Sequence, residues 1–273
     1  MTLWDPSNLN ATLTAWQQGG TGVAVGKWSD SSANSNHLNQ GTAGDQPAIT
    51  TLNGHNILDF NDSENDHMDY GDLDAMDVGT GDFYTFIVIN PDKGSTNMAL
   101  LAKHSGSDDY LLRISSGNKV QQYIGASSGG TVLTGSTSLS PSTTYIVAGY
   151  RSGTSSIVRL DGSQDGTTTN ENSLSNARTF HVAGQATAGT AANYDGKIAE
   201  IIMGGGSIAD GEIQKVEGYL QRRFALSSLP ATHTYVDFAP AFGLVGNHNN
   251  DIQGEISLDI SGSMAAAGVT GVI

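Results

Sequence analysis

Residues 194–226 constrain the fold more than any other stretch, because the spacing of their apolar residues changes partway along. Residues 197–203 (K-I-A-E-I-I-M) are short, apolar and rich in isoleucine, the pattern of a strand buried on at least one face. Gly204, Gly205 and Gly206 interrupt it. From Ala209 onward Ile213, Val216, Leu220 and Phe224 recur at three- and four-residue steps, which places them along one side of an α-helix. Ser207 or Asp210 is the expected N-cap. Asp210 and Glu212 suit the positive end of the helix dipole, and Arg222 and Arg223 the negative end. This helix is expected to pack against the outside of a sheet.

No other segment reads convincingly as a helix. Residues 83–89 (F-Y-T-F-I-V-I) are aromatic and β-branched throughout and form the strongest predicted strand. Residues 56–60, 98–102, 110–115, 119–124, 144–150, 156–160 and 178–184 follow as shorter strands separated by Gly, Ser, Asn and Asp. Residues 62–81 read as an acidic connection and 125–140 as a glycine-rich one. Glycine fills 35 of 273 positions, which suits many short strands joined by turns, and the hydrophobic share of 37% is enough for a core. The pattern predicts an all-β sandwich.

Acidic residues outnumber basic ones 27 to 12, a net charge of −15. Such a surface repels phosphate, so neither nucleic acid nor an anionic membrane is an expected partner. With no cysteine there are no disulfides, thiolate metal sites or cysteine nucleophiles. No run is long and apolar enough to span a bilayer. Beyond Leu226 the chain changes character: no Lys or Arg occurs, residues 255–261 alternate strictly like a half-buried strand, and residues 264–273 are small and apolar. The expected organisation is a domain over residues 1–226 and a C-terminal extension over 227–273. The extension either folds back on its own sandwich or docks on a neighbouring subunit.

The strand D-G-K-I-A-E-I-I and the helix that follows it resemble the end of bacterial and phage domains of laminin-G-like type in the concanavalin A-like lectin/glucanase superfamily. Leu3-Trp4-Asp5, the W-S-D-S-S-A-N-S-N-H-L turn that begins at Trp28, and the hairpin from Asn53-Gly54 to Phe60-Asn61-Asp62 agree with that resemblance. It covers roughly residues 3–226. It implies a jelly-roll sandwich with one late α-helix, a fold that hosts lectins, adhesion modules, glycosidases and virion proteins alike.

Sites must therefore be argued from residues. Catalytic glucanases of this superfamily carry paired carboxylates as E-x-D-x-(x)-E on one strand face, and retaining chemistry needs two carboxyl groups roughly 5 Å apart. Glu64-Asn65-Asp66-His67-Met68-Asp69 matches superficially. It departs in ending on Asp69 and in placing Asn65 and His67 where a buried strand has apolar residues, so no catalytic residue is assigned. Asp30, Asn34 and Asn36 space oxygen atoms at alternate positions as calcium loops do, but there is no Gly at the sixth position and Gly41 replaces the bidentate Glu of an EF-hand. The competing reading is an Asx turn bonded to its own backbone. The acidic residues from Asp62 to Asp77 are the second calcium candidate. The histidines show no H-x-x-x-H or H-x-H pairing. Trp16 is the candidate for stacking on a sugar, since Trp4 and Trp28 sit in fold motifs.

The chain starts directly in the domain, without a basic and apolar leader. Together with the absent cysteines and the apolar tail, this leads to the expectation of a non-catalytic bacteriophage virion protein. It would decorate the capsid or tail as a homo-oligomer, with neighbouring virion subunits and a cell-surface glycan as partners. A secreted carbohydrate-binding or adhesion module is the alternative and a glycoside hydrolase the third reading.

Overall fold

The computed structural model describes residues 2–9, 21–32, 34–104, 110–125, 131–185 and 193–237. Its strands are β1 (Thr2–Leu9), β2 (Lys27–Asp30), β3 (Leu38–Asn39), β4 (Ala48–Leu52), β5 (His55–Phe60), β6 (Met68–Asp72), β7 (Phe83–Pro91) and β8 (Met98–Lys103). They continue as β9 (Tyr110–Ile114), β10 (Val120–Ile124), β11 (Thr131–Thr134), β12 (Tyr145–Ser152), β13 (Ser155–Leu160), β14 (Ser163–Thr169), β15 (Thr179–Val182) and β16 (Gly196–Gly205). One α-helix, α1 (Asp210–Arg223), follows. The acidic and glycine-rich connections thus contain β6, which has no β-branched residue, and β11, which is only four residues long.

The strands form two antiparallel layers. The front layer runs β11-β10-β9-β8-β15-β6-β3-β2 and the back layer β1-β16-β7-β12-β13-β14, with β5 also bonded to β16 and β4 to β5. Pairing of β2 with β1 carries the path from one layer to the other. At the far edge, Asp165 on β14 accepts from Ser136 Oγ (2.8 Å) and the Thr137 amide (3.0 Å), which ties down the chain leaving β11. This closed, two-layer architecture is the predicted jelly-roll sandwich.

Alternation along each strand divides the apolar residues between two cores. Phe83, Ile87 and Ile89 of β7 point between the layers, where Leu112, Ile124, Phe180 and Val182 of the front layer meet them. Phe86 and Val88 point the other way, onto α1. Strand β16 does the same with a bulge between Ile198 and Glu200, so that Ile198, Ile201 and Met203 face the inner core while Ala199 and Ile202 face the helix. Ile213 and Leu220 of α1 and its C-cap Phe224 are buried against this surface, as their spacing predicts. Each such side chain contributes about 1.5–3 kcal/mol when fully buried.

The helix begins differently from expectation. Ala209 is the N-cap, with no side-chain capping bond, rather than Ser207 or Asp210. Packing of Ile213 and Leu220 on the sheet, with Asp210 and Glu212 in the first turn, holds this end without a capping side chain. Glu200, fully buried on β16, pairs with Arg223 of α1 at 3.0 Å. Beyond the helix, Leu229 and His233 are buried against it: His233 Nε2 lies 3.0 Å from Glu217 Oε2, and Glu217 also receives the Arg159 guanidinium from β13 at 2.7 and 2.9 Å. Residues 238–273, including the predicted strand at 255–261, lie outside the described residues. Among the described residues no helix is long and apolar enough to cross a membrane.

Candidate functional site

Residues paired across the front layer form one transverse row: Val132, Tyr123, Leu111, Ala102, His181, Asp69 and Asn39. Their sequence neighbours Leu133, Ile124, Leu112, Leu101, Val182, Met68 and Leu38 all lie in the inner core, so the row belongs to the outer face of the layer. A second row, Thr134, Gln121, Arg113 and Ala99, runs beside it. Ala99, Ala102 and Leu111 are buried, and Tyr123 packs half-buried against them.

The β9–β10 end of this face carries an ordered polar group. Arg113 Nε donates to Gln121 Oε1 at 2.9 Å, its Nη2 donates to the Tyr123 hydroxyl, and its guanidinium carbon stands 4.6 Å from the centre of the Tyr123 ring. Gln121 is itself oriented by donating to Thr134 Oγ1 at 3.0 Å. The aromatic ring is thereby held between a cation and an amide, partners that a flexible tyrosine on a bare sheet would lack.

At the other end Asp69 lies between two imidazoles. Its Oδ1 is 2.5 Å from His181 Nδ1 and its Oδ2 is 3.6 Å from His67 Nε2. His67 Nδ1 is 2.7 Å from the Asn65 carbonyl, to which it donates, and Nε2 lies 3.1 Å from Gln40 Nε2. Gly184 abuts the ring: a Cβ there would come within 3.0 Å of His67 Cβ.

The carboxylates of the superficial glucanase match do not converge. Glu64 is exposed in the 3₁₀ turn Asp62–Glu64, Asn65 adopts the left-handed conformation after it, and Asp66 turns inward. Asp66 is 3% exposed; one oxygen accepts from the Asn61 amide at 2.9 Å and the other has no hydrogen-bond partner. Burial pushes its carboxyl up to about 6, and the charges of Glu64, Asp45 and Asp59 act in the same direction while the Asn61 bond opposes them.

The calcium candidates resolve into closed local bonding. Asp30 Oδ1 accepts from the Ser32 amide at 2.8 Å, and Oδ2 from Ser32 Oγ at 2.8 Å and the Asn36 amide at 3.0 Å. The Asn34 amide donates to Ser32 Oγ at 3.2 Å. This is the Asx-type turn, and a cation at Asp30 would have to displace those donors. In the second acidic stretch Asp72, Asp74 and Asp77 approach one another closely enough for an ion. A cation already stands there: Lys103 Nζ, with its side chain 0% exposed, lies 2.7 Å from Asp72 Oδ1 and 2.6 Å from Asp77 Oδ1. Trp16 lies outside the described residues.

Arg113, Gln121, Tyr123 and His181 were not singled out by sequence reasoning. Alternation along the two predicted strands at 110–115 and 119–124 puts Arg113, Gln121 and Tyr123 on one face once the strands pair, but the pairing register is needed to see it.

The family profile described as Concanavalin A-like lectin/glucanases superfamily, of laminin-G type, matches residues 62–214, more than half of the chain. No curated protein matches the sequence. Among solved structures, a mutant of Trypanosoma rangeli sialidase displaying trans-sialidase activity aligns at TM-score 0.54 and 14% identity, covering 83% of this chain and 33% of that one. The binding domain of Paraclostridial Mosquitocidal Protein 1 aligns at 0.56 and 10%, covering 72% and 51%. Domain 4 of AbnA, an extracellular arabinanase from Geobacillus stearothermophilus, solved in complex with arabinotriose, aligns at 0.52 and 12%, covering 78% and 95%. The chain therefore spans a third of the sialidase and about half of the mosquitocidal structure. At these identities the likeness is one of fold. With a profile match over more than half its length and the two-layer sandwich that goes with it, the chain belongs to the concanavalin A-like lectin/glucanases superfamily.

Proposed function

We propose that this domain binds glycan without cleaving it, on the outer face of the front layer, and that it does so as a structural component of a bacteriophage virion. The observation that carries the binding reading is the Tyr123 platform: an aromatic ring fixed by Arg113 and beside Gln121, packed against buried Ala99, Ala102 and Leu111. Sugars are held by an aromatic face against their C–H surface and by amide, guanidinium or carboxylate groups at their hydroxyls. That the arabinanase domain with this fold was solved with arabinotriose supports the same use of the fold here.

The non-catalytic reading is supported by the acids. Glycoside hydrolysis needs two carboxyl groups facing one gap, whereas Glu64 is exposed, Asp66 is buried on an amide, and Asp69 is committed to His181. The virion reading is supported by the absence of cysteine, which suits assembly in a reducing cytoplasm. In this reading the sequence beyond Asp237, which carries no Lys or Arg, is the arm that docks on a neighbouring subunit of a homo-oligomer. Neither nucleic acid nor membrane is a proposed partner.

A glycan array probed with the whole chain and with Tyr123→Ala tests the binding reading. Glycans retained by the wild type and lost, at least tenfold, by the variant are expected; equal retention by both would remove the proposed face. Mass spectrometry of purified virions tests the placement, and particles that lack the chain would exclude it.

A further inference from the structure

Resting on the glycan-binding reading and narrowing it, we propose that the glycan is acidic, its carboxylate seated on Arg113. Six of the twelve Lys and Arg side chains of this acidic chain are paired with its own carboxylates. Lys93 pairs with Asp62, Lys103 with Asp77, Lys197 with Asp92, Lys215 with Glu212, Arg159 with Glu217 and Arg223 with Glu200. Arg113 is held differently. Its partners are an amide oxygen, a phenol hydroxyl and an aromatic ring, all of which orient a guanidinium and none of which cancels its charge.

The geometry of those bonds matters. A guanidinium has five N–H groups. One is spent on Gln121 through Nε and one on Tyr123 through Nη2, both on the same side of the fork. Both N–H groups of Nη1 and the second of Nη2 engage nothing among the described residues. Together they make the end-on fork that matches the two oxygens of a carboxylate, a geometry an ammonium does not reproduce. The Tyr123 ring beside it supplies the apolar surface on which the same sugar ring would rest.

The net charge of −15 opposes an acidic ligand, and its reach decides whether it prevails. At physiological salt, charges are screened over about 8 Å. Asp69, the acid in the transverse row, is three strands away from β9 across β8 and β15, roughly 14 Å at the usual strand spacing. Among the described residues of the two rows, Arg113 is therefore the charge at its own end of the face, and a neutral end of the glycan is left for the Asp69–His181 end.

Calorimetry on the full chain tests this with two matched pairs: trigalacturonate against its methyl ester, and 3′-sialyllactose against lactose. At least one acid is expected to bind ten times more tightly than its neutral counterpart, with the pair that responds separating uronate from sialic acid. Arg113→Gln should bring that acid down to the neutral level without moving the melting temperature, and Arg113→Lys should restore only part of the difference. Equal binding of acid and neutral sugar, or an Arg113→Gln variant that binds the acid as the wild type does, would overturn the assignment. Equal binding of acid and neutral sugar, both abolished by Tyr123→Ala, would remove the acidic class and leave the binding face standing. No binding of any of the four sugars would overturn both.

Discussion

Asp66 shows how a single buried group records its surroundings. Its folded pKa of about 6 lies above the ordinary value of 3.8, so the folded chain holds that proton more tightly than the unfolded chain does. Stability contributed through Asp66 is therefore fully present below about pH 4 and is lost as pH rises through about 6. Asp161, at the β13–β14 turn, is likewise pushed up to about 6 by burial and adds to the same trend. Asp66→Asn is expected to be more stable than the wild type at pH 7.5, by roughly 1–3 kcal/mol, with the difference closing as pH falls below 4; urea melts at both pH values measure it. The Asp30 turn yields the opposite kind of expectation. Because its two oxygens are already occupied by N–H and O–H donors, adding a chelator should leave the melting temperature unmoved. The oxygen spacing that made Asp30, Asn34 and Asn36 resemble a calcium loop is also the spacing of an Asx turn, and only the positions of the donors separate the two.

Among the elements, the helix and the hairpins were the most legible. The Ile213, Leu220 and Phe224 stripe was readable because a helix repeats every 3.6 residues whatever it packs on. Leu220→Ala should cost about 2–5 kcal/mol, seen as a drop in the urea midpoint with an unchanged slope. Asn53-Gly54, read as opening a hairpin, and Asp161-Gly162, whose hairpin to β14 went unread, both place two successive residues at positive φ (49° and 89°, 47° and 77°), the type I′ geometry. Gly162 meets a second constraint that no local rule reveals. A Cβ there would come within 2.7 Å of Leu229 and 2.8 Å of His233, so Gly162→Ala should destabilise by about 1–3 kcal/mol through backbone strain and displacement of the segment after α1. Strand β6 escaped notice because of its acidic, half-solvated composition, and β11 because it is only four residues long within a Ser-, Thr- and Gly-rich stretch; backbone pairing, which is blind to side chains, makes both strands.

For the whole molecule, the segment after α1 is part of the folded body. Leu229, His233 and Val236 pack on the helix, and Gln221 bonds the Leu229 amide (2.8 Å) and the Val236 carbonyl (2.9 Å). A chain ending at Leu226 should melt several degrees lower than one ending at Asp237, since Glu217 would lose His233. The sequence alone determined the all-β class, the late helix, the tight hairpins and the family, because periodicity and turn chemistry are local and need no partner strand. The functional face was decided only in the tertiary structure. Arg113 and Tyr123 come from β9 and β10, Asp69 from β6 and His181 from β15, and it is strand order and register that set these distant residues in rows across one sheet. Likewise the ion-like cluster of Asp72, Asp74 and Asp77 turned out to be the socket of Lys103, because β8 delivers a buried ammonium to it from 26 or more residues away.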